Sequence, residues 1–140
     1  MFRRLRSAWD WDRAKVLSRA GRYQEALEVA RYGDEQFRQR AHWKLFVVHQ
    51  LGLMKNNVRT LAEALALIQD LRGNHTMSGR NQYFLAFAQW YGRVAFRRLY
   101  PGEPLPKELD SDPASVDLSV VPKRWMRVFP MPIHPHWVEL

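Results

Sequence analysis

The sequence contains no cysteine, and its first hundred residues contain no proline. The missing thiols exclude a disulfide framework, a cysteine-ligated zinc site, an iron–sulfur cluster and a thiol nucleophile. A chain of 140 residues buries enough of its surface to fold as one unit without such bonds. Because a cysteine-free chain is compatible with a reducing compartment, we expect a cytoplasmic location.

Long apolar runs are missing as well. The nearest stretch, Tyr83 to Phe96, is interrupted by Gln89, Gly92 and Arg93, and it falls short of the ~18 apolar residues that a membrane helix needs. The basic N-terminus lacks the apolar segment of a secretory signal. We therefore expect neither a membrane span nor a secretory signal, and we do not expect a membrane surface to be the partner.

Proline and charge divide the chain at the same place. All eight prolines lie after residue 100, and proline disrupts helix interiors because it lacks the backbone donor and clashes with the preceding turn. Residues 1–100 carry 18 basic and 8 acidic side chains, whereas residues 101–140 carry 4 and 6. The sequence therefore predicts an all-α body over 1–100. An extended proline-rich tail over 101–140, acidic and then basic and aromatic, is expected to pack on that body.

The spacing of glycines in the first hundred residues predicts the ends of five helices. The expected helices span residues 7–20, 23–32, 35–51, 61–72 and 79–100. Thr60 and Glu63 have the spacing of a capping box for the fourth helix, and Ser78 is a candidate cap for the fifth. The fifth helix is apolar on nearly every side, which predicts that it is either central or covered by another part of the chain, with residues 120–137 as the expected cover.

The connection between the first two predicted helices contains a glycine, with small residues in the helices on both sides of it. Ala14, Gly21, Ala26 and Ala30 have a spacing that lets two paired helices approach closely. This stretch resembles the turn and second helix of a tetratricopeptide repeat. The resemblance implies a stack of antiparallel helical hairpins that binds other proteins.

The resemblance is incomplete along the chain. Asp10 and Arg38 stand where the family pattern has an aromatic residue and a proline. A degenerate second copy is indicated where residues 63–65 echo residues 25–27 at an offset of 38, which exceeds the family's period.

No catalytic constellation is present. The sequence has no glycine-rich phosphate loop, no zinc-protease helix and no serine-hydrolase elbow. His42 and His49 are seven residues apart, which separates them by roughly 10 Å along a helix and prevents them from sharing a metal ion. We therefore expect a binding protein without a cofactor or a metal, and not an enzyme.

The resemblance also implies a binding surface. The first helix of a hairpin lines the concave face of such a stack, so Trp11, Lys15 and Arg19 would point inward, one turn apart. These three residues would form a cationic strip suited to an acidic segment of a partner protein. The alternative is an ordinary solvated basic face.

A second hypothesis follows from the basic residues. Arginine outnumbers lysine 17 to 5, and its planar group suits bidentate contacts with phosphate. Arginine interleaved with aromatic residues is typical of single-stranded nucleic-acid binding. The candidate contacts to nucleic acid or another anionic surface are Arg3, Arg4, Arg6, Arg38, Arg40, Arg97, Arg98, Lys123, Arg124 and Arg127.

Overall fold

The computed structural model describes residues 2–36, 41–74 and 79–110, with side-chain environments for 9–33, 41–74 and 81–110. The helices are α1 (Phe2–Arg19), α2 (Tyr23–Gln36), α3 (Ala41–Leu53), α4 (Asn57–Asn74) and α5 (Gly79–Leu99), followed by a 3-10 turn, Lys107–Leu109. No strand occurs within these ranges. The prediction of an all-α fold with five helices is therefore confirmed.

Each helix packs chiefly on the next one in the chain, and α3 also contacts α5. The turns that join α1 to α2 and α3 to α4 are three residues long. The chain gaps between α2 and α3 and between α4 and α5 are also only four residues, too short to run back along a packed helix. Successive helices are therefore antiparallel, so α1, α3 and α5 run in the same direction and their C-terminal ends lie at one end of the stack. We call this end, which also holds the first turns of α2 and α4, the turn end.

The first turn ends α1 as the sequence predicts. Gly21 has φ 77°, a left-handed conformation that glycine adopts without steric cost. Its N–H donates to the Ser18 carbonyl at 3.0 Å, and the Arg22 N–H donates to the Leu17 carbonyl at 2.9 Å. These two bonds define a Schellman motif, which closes a helix C-terminus.

The turn after α3 has the same two bonds without a glycine. Lys55, with φ 58°, donates its N–H to the Gly52 carbonyl at 3.0 Å, and Asn56 donates to the Leu51 carbonyl at 3.1 Å. The interval from Gly21 to Lys55 equals the interval between the first residues of α2 and α4. The two hairpins are related by this interval, which their matching turn bonds define. The offset of 38 residues, expected from the similarity of residues 63–65 to residues 25–27, is therefore wrong.

Gly33 and Gly52 lie inside α2 and α3, although the glycine spacing predicts helix ends at these positions. A Cβ at Gly33 would sit 2.6 Å from ring atoms of Trp43, and one at Gly52 would collide with the ring of Tyr91. The glycines therefore make room for aromatic rings from neighbouring helices. As a result α2 continues to Gln36 and α3 to Leu53, so the expected helix over 35–51 begins too early.

The predicted capping box at Thr60 and Glu63 is also wrong. The cap is Asn56, whose side-chain oxygen accepts the Arg59 N–H at 3.3 Å. The Thr60 hydroxyl donates to the Asn56 carbonyl at 2.7 Å, which places Thr60 inside the first turn of α4. The candidate cap Ser78 lies outside the described residues.

Within the described residues the central place belongs to α3, which contacts α2, α4 and α5. α5 packs on α3, α4 and the 3-10 turn. Its buried residues include Phe84, Phe87 and Trp90. The 3-10 turn adds Leu109, which is fully buried beside Gly92, where a Cβ would lie 2.7 Å from the leucine side chain. The residues expected to cover α5, 120–137, lie outside the described part of the chain.

Candidate functional site

The three residues of the expected binding strip have different environments. Trp11 is partly buried and packs edge-on against His42, Trp43 and Phe46 of α3, at ring distances of 4.7, 5.2 and 5.2 Å. Its main contribution is therefore to hold α1 against α3.

The two cations of the strip remain accessible. Lys15 forms a salt bridge of 3.2 Å with Asp12, and its side chain keeps 24% of its exposure. Arg19 is exposed and forms no hydrogen bond or salt bridge with the described residues. Arg19 is thus the residue of this strip with a fully available charge.

Of the residues predicted to contact nucleic acid or another anionic surface, the structure describes the side chains of only two. Arg97 and Arg98 are both exposed in the last turn of α5. Arg3, Arg4 and Arg6 lie on α1, but their side chains are outside the described set, as are residues Arg38, Arg40, Lys123, Arg124 and Arg127.

A continuous row of aromatic rings crosses the three parallel helices. From Trp11 and Phe46 it passes to His49 at 6.1 Å and on to Phe87 at 5.8 Å. It ends at Trp90 and Tyr91, whose ring centres are 4.6 Å apart. Edge-to-face ring pairs add stability beyond their buried area. The row therefore fixes α1, α3 and α5 relative to one another.

His49 is the polar centre of this row. Burial lowers the pKa of His49 to about 4, so its imidazole is neutral at pH 7. Burial, followed by the nearby Tyr23, raises the pKa of Tyr91. A hydrogen bond of 2.7 Å joins Nδ1 of His49 to the Tyr91 hydroxyl, which stays protonated and can donate to the imidazole. With its bond satisfied inside the core, His49 has a structural role.

Cations collect at the turn end. Arg19, Lys55, Arg59 and Arg98 are all exposed there, and none of these side chains forms a salt bridge or hydrogen bond within the described chain. The positive dipole ends of α2 and α4 meet the negative ends of α1, α3 and α5 here, so the positive charge comes from the side chains and not from the helix dipoles. The acidic residues of this end are Glu25, which is bonded to Arg22, and Glu103 in the turn after α5, and the cations outnumber them. The turn end is therefore a positive surface.

A groove of about 210 Å³ opens at this end, between the α3–α4 turn and α5. It is lined by Gly52, Leu53, Lys55, Asn57, Thr60, Trp90, Tyr91, Val94, Ala95 and Arg98. Trp90, Tyr91 and Val94 are no more than 9% exposed and form an apolar floor. The exposed Lys55 and Arg98 give the groove a positive rim.

A second groove, of about 340 Å³, lies between α1 and α2. Its charged residues are Asp10, Arg13, Glu25 and Glu28, so both signs are present. Glu25 is bonded to Arg22, and Asp10 is only 3% exposed. The described residues contain no group of three or more acidic or histidine side chains placed to hold a metal ion. This groove therefore has less free charge than the turn end.

One cation, Arg93, is buried, on the side of α5 away from the groove at the turn end. Burial and the neighbouring Arg97 lower the pKa of Arg93, whereas Asp110 acts in the opposite direction. Close by, the Gln89 side-chain nitrogen donates to the Glu108 carbonyl at 3.1 Å. The start of the tail thus brings one acidic side chain to Arg93, away from the turn end.

Sequence reasoning identified Arg19 and Arg98 but missed Lys55 and Arg59. An isolated lysine in a polar turn has no signal of its own. Alignment of the second hairpin with the first would have placed Lys55 opposite Gly21, and a lysine at a left-handed position is uncommon. That contrast is the signal that could have found it.

No family model, curated protein or solved structure matches this chain. Within the described ranges, none of the helices has the length and apolar character needed to cross a membrane.

Proposed function

We propose that this protein is a non-enzymatic binding module that holds an acidic segment of a partner protein on its basic helical surface. The observation that carries this proposal is the exposed positive charge of the turn end, where Arg19, Lys55, Arg59 and Arg98 have no acidic partner in the described chain. Charge arranged in this way steers and orients an oppositely charged partner.

The fold supports a binding role in a second way. Two hairpins with the same turn bonds follow each other along the chain, and the interval between their turns matches the period of tetratricopeptide repeats. Stacks of such hairpins present extended surfaces for partner binding. We therefore propose a kinship with that family, with Lys15 and Arg19 of α1 contributing to the contact.

The test uses charge reversal with a matched control. We expect the double variant Lys15→Glu and Arg19→Glu to bind an acidic partner at least ten times more weakly. The control Arg72→Glu and Lys107→Glu makes the same change in net charge at two other exposed positions and should bind normally. Capture from native extract and identification of the bound proteins by mass spectrometry supply the partner, and titration calorimetry then compares the variants.

Three outcomes would contradict the proposal. Equal loss of binding in both double variants would indicate unspecific attraction by net charge. Unchanged binding in the Lys15 and Arg19 variant would remove this surface as the contact. Loss of all captured material after nuclease treatment would favour the nucleic-acid hypothesis, for which a steep dependence on salt is the next measurement. Circular dichroism shows whether each variant keeps its helices.

A further inference from the structure

The groove at the turn end has a feature that the proposed basic surface does not explain, namely the conformation of Lys55. A left-handed backbone is unfavourable for a residue with a side chain, and the equivalent turn avoids this cost with Gly21. Strain of this kind persists where it serves another purpose. Lys55 sits on the rim of the groove, where its charge is exposed.

The groove combines charge with an apolar floor. Arg98 provides the second cation of the rim, and the floor consists of Trp90, Tyr91 and Val94. The volume of about 210 Å³ is below the range of roughly 300–1,000 Å³ that is usual for small-molecule sites. A space of this size suits one apolar side chain rather than a whole helix or a large cofactor.

The described part of the tail leaves the groove open. Gln89, which binds the Glu108 carbonyl, is nine residues from Arg98, so the two lie on opposite sides of α5 at 3.6 residues per turn. Among the acidic residues of the described tail, Asp110 acts on Arg93, and neither Glu103 nor Glu108 forms a salt bridge with Lys55 or Arg98. The positive rim therefore keeps its charge available for a ligand.

The floor also favours a peptide over a nucleic acid. Bases bind single-strand proteins by stacking on exposed aromatic faces. Trp90 and Tyr91 are only 4% and 9% exposed, so they offer an apolar contact but no open ring face. A carboxylate next to an apolar side chain matches both the rim and the floor.

We propose that this groove is a specificity pocket for a short peptide segment in which one apolar side chain is flanked by aspartate or glutamate. The apolar side chain enters between Val94 and Tyr91, and the flanking carboxylates bind Lys55 and Arg98. This inference rests on the proposed function, since it names the segment that the basic surface selects.

The experiment titrates the full-length, ¹⁵N-labelled protein with a synthetic peptide, acetyl-Gly-Ser-Asp-Leu-Glu-Ser-Gly-amide. We expect shifts of the backbone amides of Lys55, Val94 and Arg98 that saturate. Two control peptides replace the leucine by serine, or the two acids by asparagine and glutamine. Each control should bind at least five times more weakly.

Protein variants test the same contacts. The double variant Lys55→Gly and Arg98→Gln should bind the peptide at least ten times more weakly. Its first substitution relaxes the backbone of the turn, so folding is preserved. The control Arg72→Gln and Lys107→Gln removes two charges as well, at exposed positions that do not line the groove, and should bind normally.

The proposal is overturned if the leucine peptide does not bind, if the serine peptide binds equally well, or if the Lys55 and Arg98 variant keeps full affinity. Displacement of the peptide by oligothymidine with the same amide shifts would assign the groove to nucleic acid and would also overturn it. The larger function is judged separately. If Lys15→Glu with Arg19→Glu abolishes partner capture while Lys55→Gly with Arg98→Gln does not, the module stands and the pocket is wrong.

Discussion

The two hairpins share a backbone plan but differ in what their equivalent positions hold. Trp9 of α1 is 71% exposed, whereas Trp43, at the equivalent position of α3, is fully buried. Lys15 is partly exposed in a salt bridge, whereas its equivalent His49 is buried and bonded to Tyr91. The first turn contains Gly21 and the second contains Lys55.

The difference shows how position in a stack determines the role of a residue. α3 lies between α2 and α5 and contacts both, and α1 contacts chiefly α2. The same helix position is therefore core in the second hairpin and surface in the first. The turns differ in the opposite sense. The first hairpin has the unstrained glycine, whereas the more buried second hairpin has a lysine with a strained backbone.

The tryptophan pair should give the largest contrast. Trp43→Ala leaves a cavity against Gly33, and we expect a loss of about 3–5 kcal/mol in the free energy of unfolding. Trp9→Ala removes an exposed ring and should change this quantity by less than about 0.5 kcal/mol. Urea unfolding followed by circular dichroism measures both. A large loss for Trp9→Ala would mean that this face of α1 is covered in solution.

The second contrast concerns pH. The unfolded His49 titrates near its usual pKa of about 6.5, whereas the folded residue titrates at about 4. Between these values the unfolded state binds more protons, so stability decreases as the pH falls from about 6.5 to about 4, by up to roughly 3 kcal/mol.

The variant His49→Gln isolates this contribution. Glutamine does not titrate but can accept a bond from the Tyr91 hydroxyl, so the free energy of unfolding should depend less on pH over the same interval. Thermal unfolding at pH 5 and 7.5 measures the slope for both proteins. An unchanged slope would show that groups other than His49 determine the acid sensitivity.

The smallest contrast is in the turns. Lys55→Gly should raise stability by up to about 1 kcal/mol, because relief of the left-handed strain exceeds the entropy gained by the unfolded chain. Gly21→Lys should lower stability by about 1 kcal/mol for the same reason. The urea midpoint measures both shifts. If Lys55→Gly is destabilising, the lysine side chain supports the fold itself.

Sequence patterns predicted the helix count and the Gly21 turn, because these follow from the placement of proline and glycine within a local stretch. The ends of α2 and α3 were missed because Gly33 and Gly52 serve rings from other helices, which is tertiary information. The start of α4 was missed because the Asn56 cap was overlooked in favour of Thr60.

The candidate site was predictable only in part. Arg19 and Arg98 stand out as basic residues on helices, and their charge follows from the sequence alone. Their gathering at one end with Lys55 depends on the parallel course of α1, α3 and α5. The apolar floor could not be foreseen, because Trp90 and Tyr91 have the spacing of ordinary core residues and only the packing of α5 places them under a groove.

The nearest-neighbour packing of the helices also bears on how the molecule opens. The first hairpin is held to the other described helices mainly by α2 packing on α3 and by the contacts of Trp11. If these contacts break together, we expect the hairpin to detach as one unit while α3, α4 and α5 remain folded. The Schellman turn at Gly21 would stay closed within the detached pair. Such a graded opening exposes the side of α3 that carries Trp43, and rebinding of the hairpin there sets the lifetime of the open form.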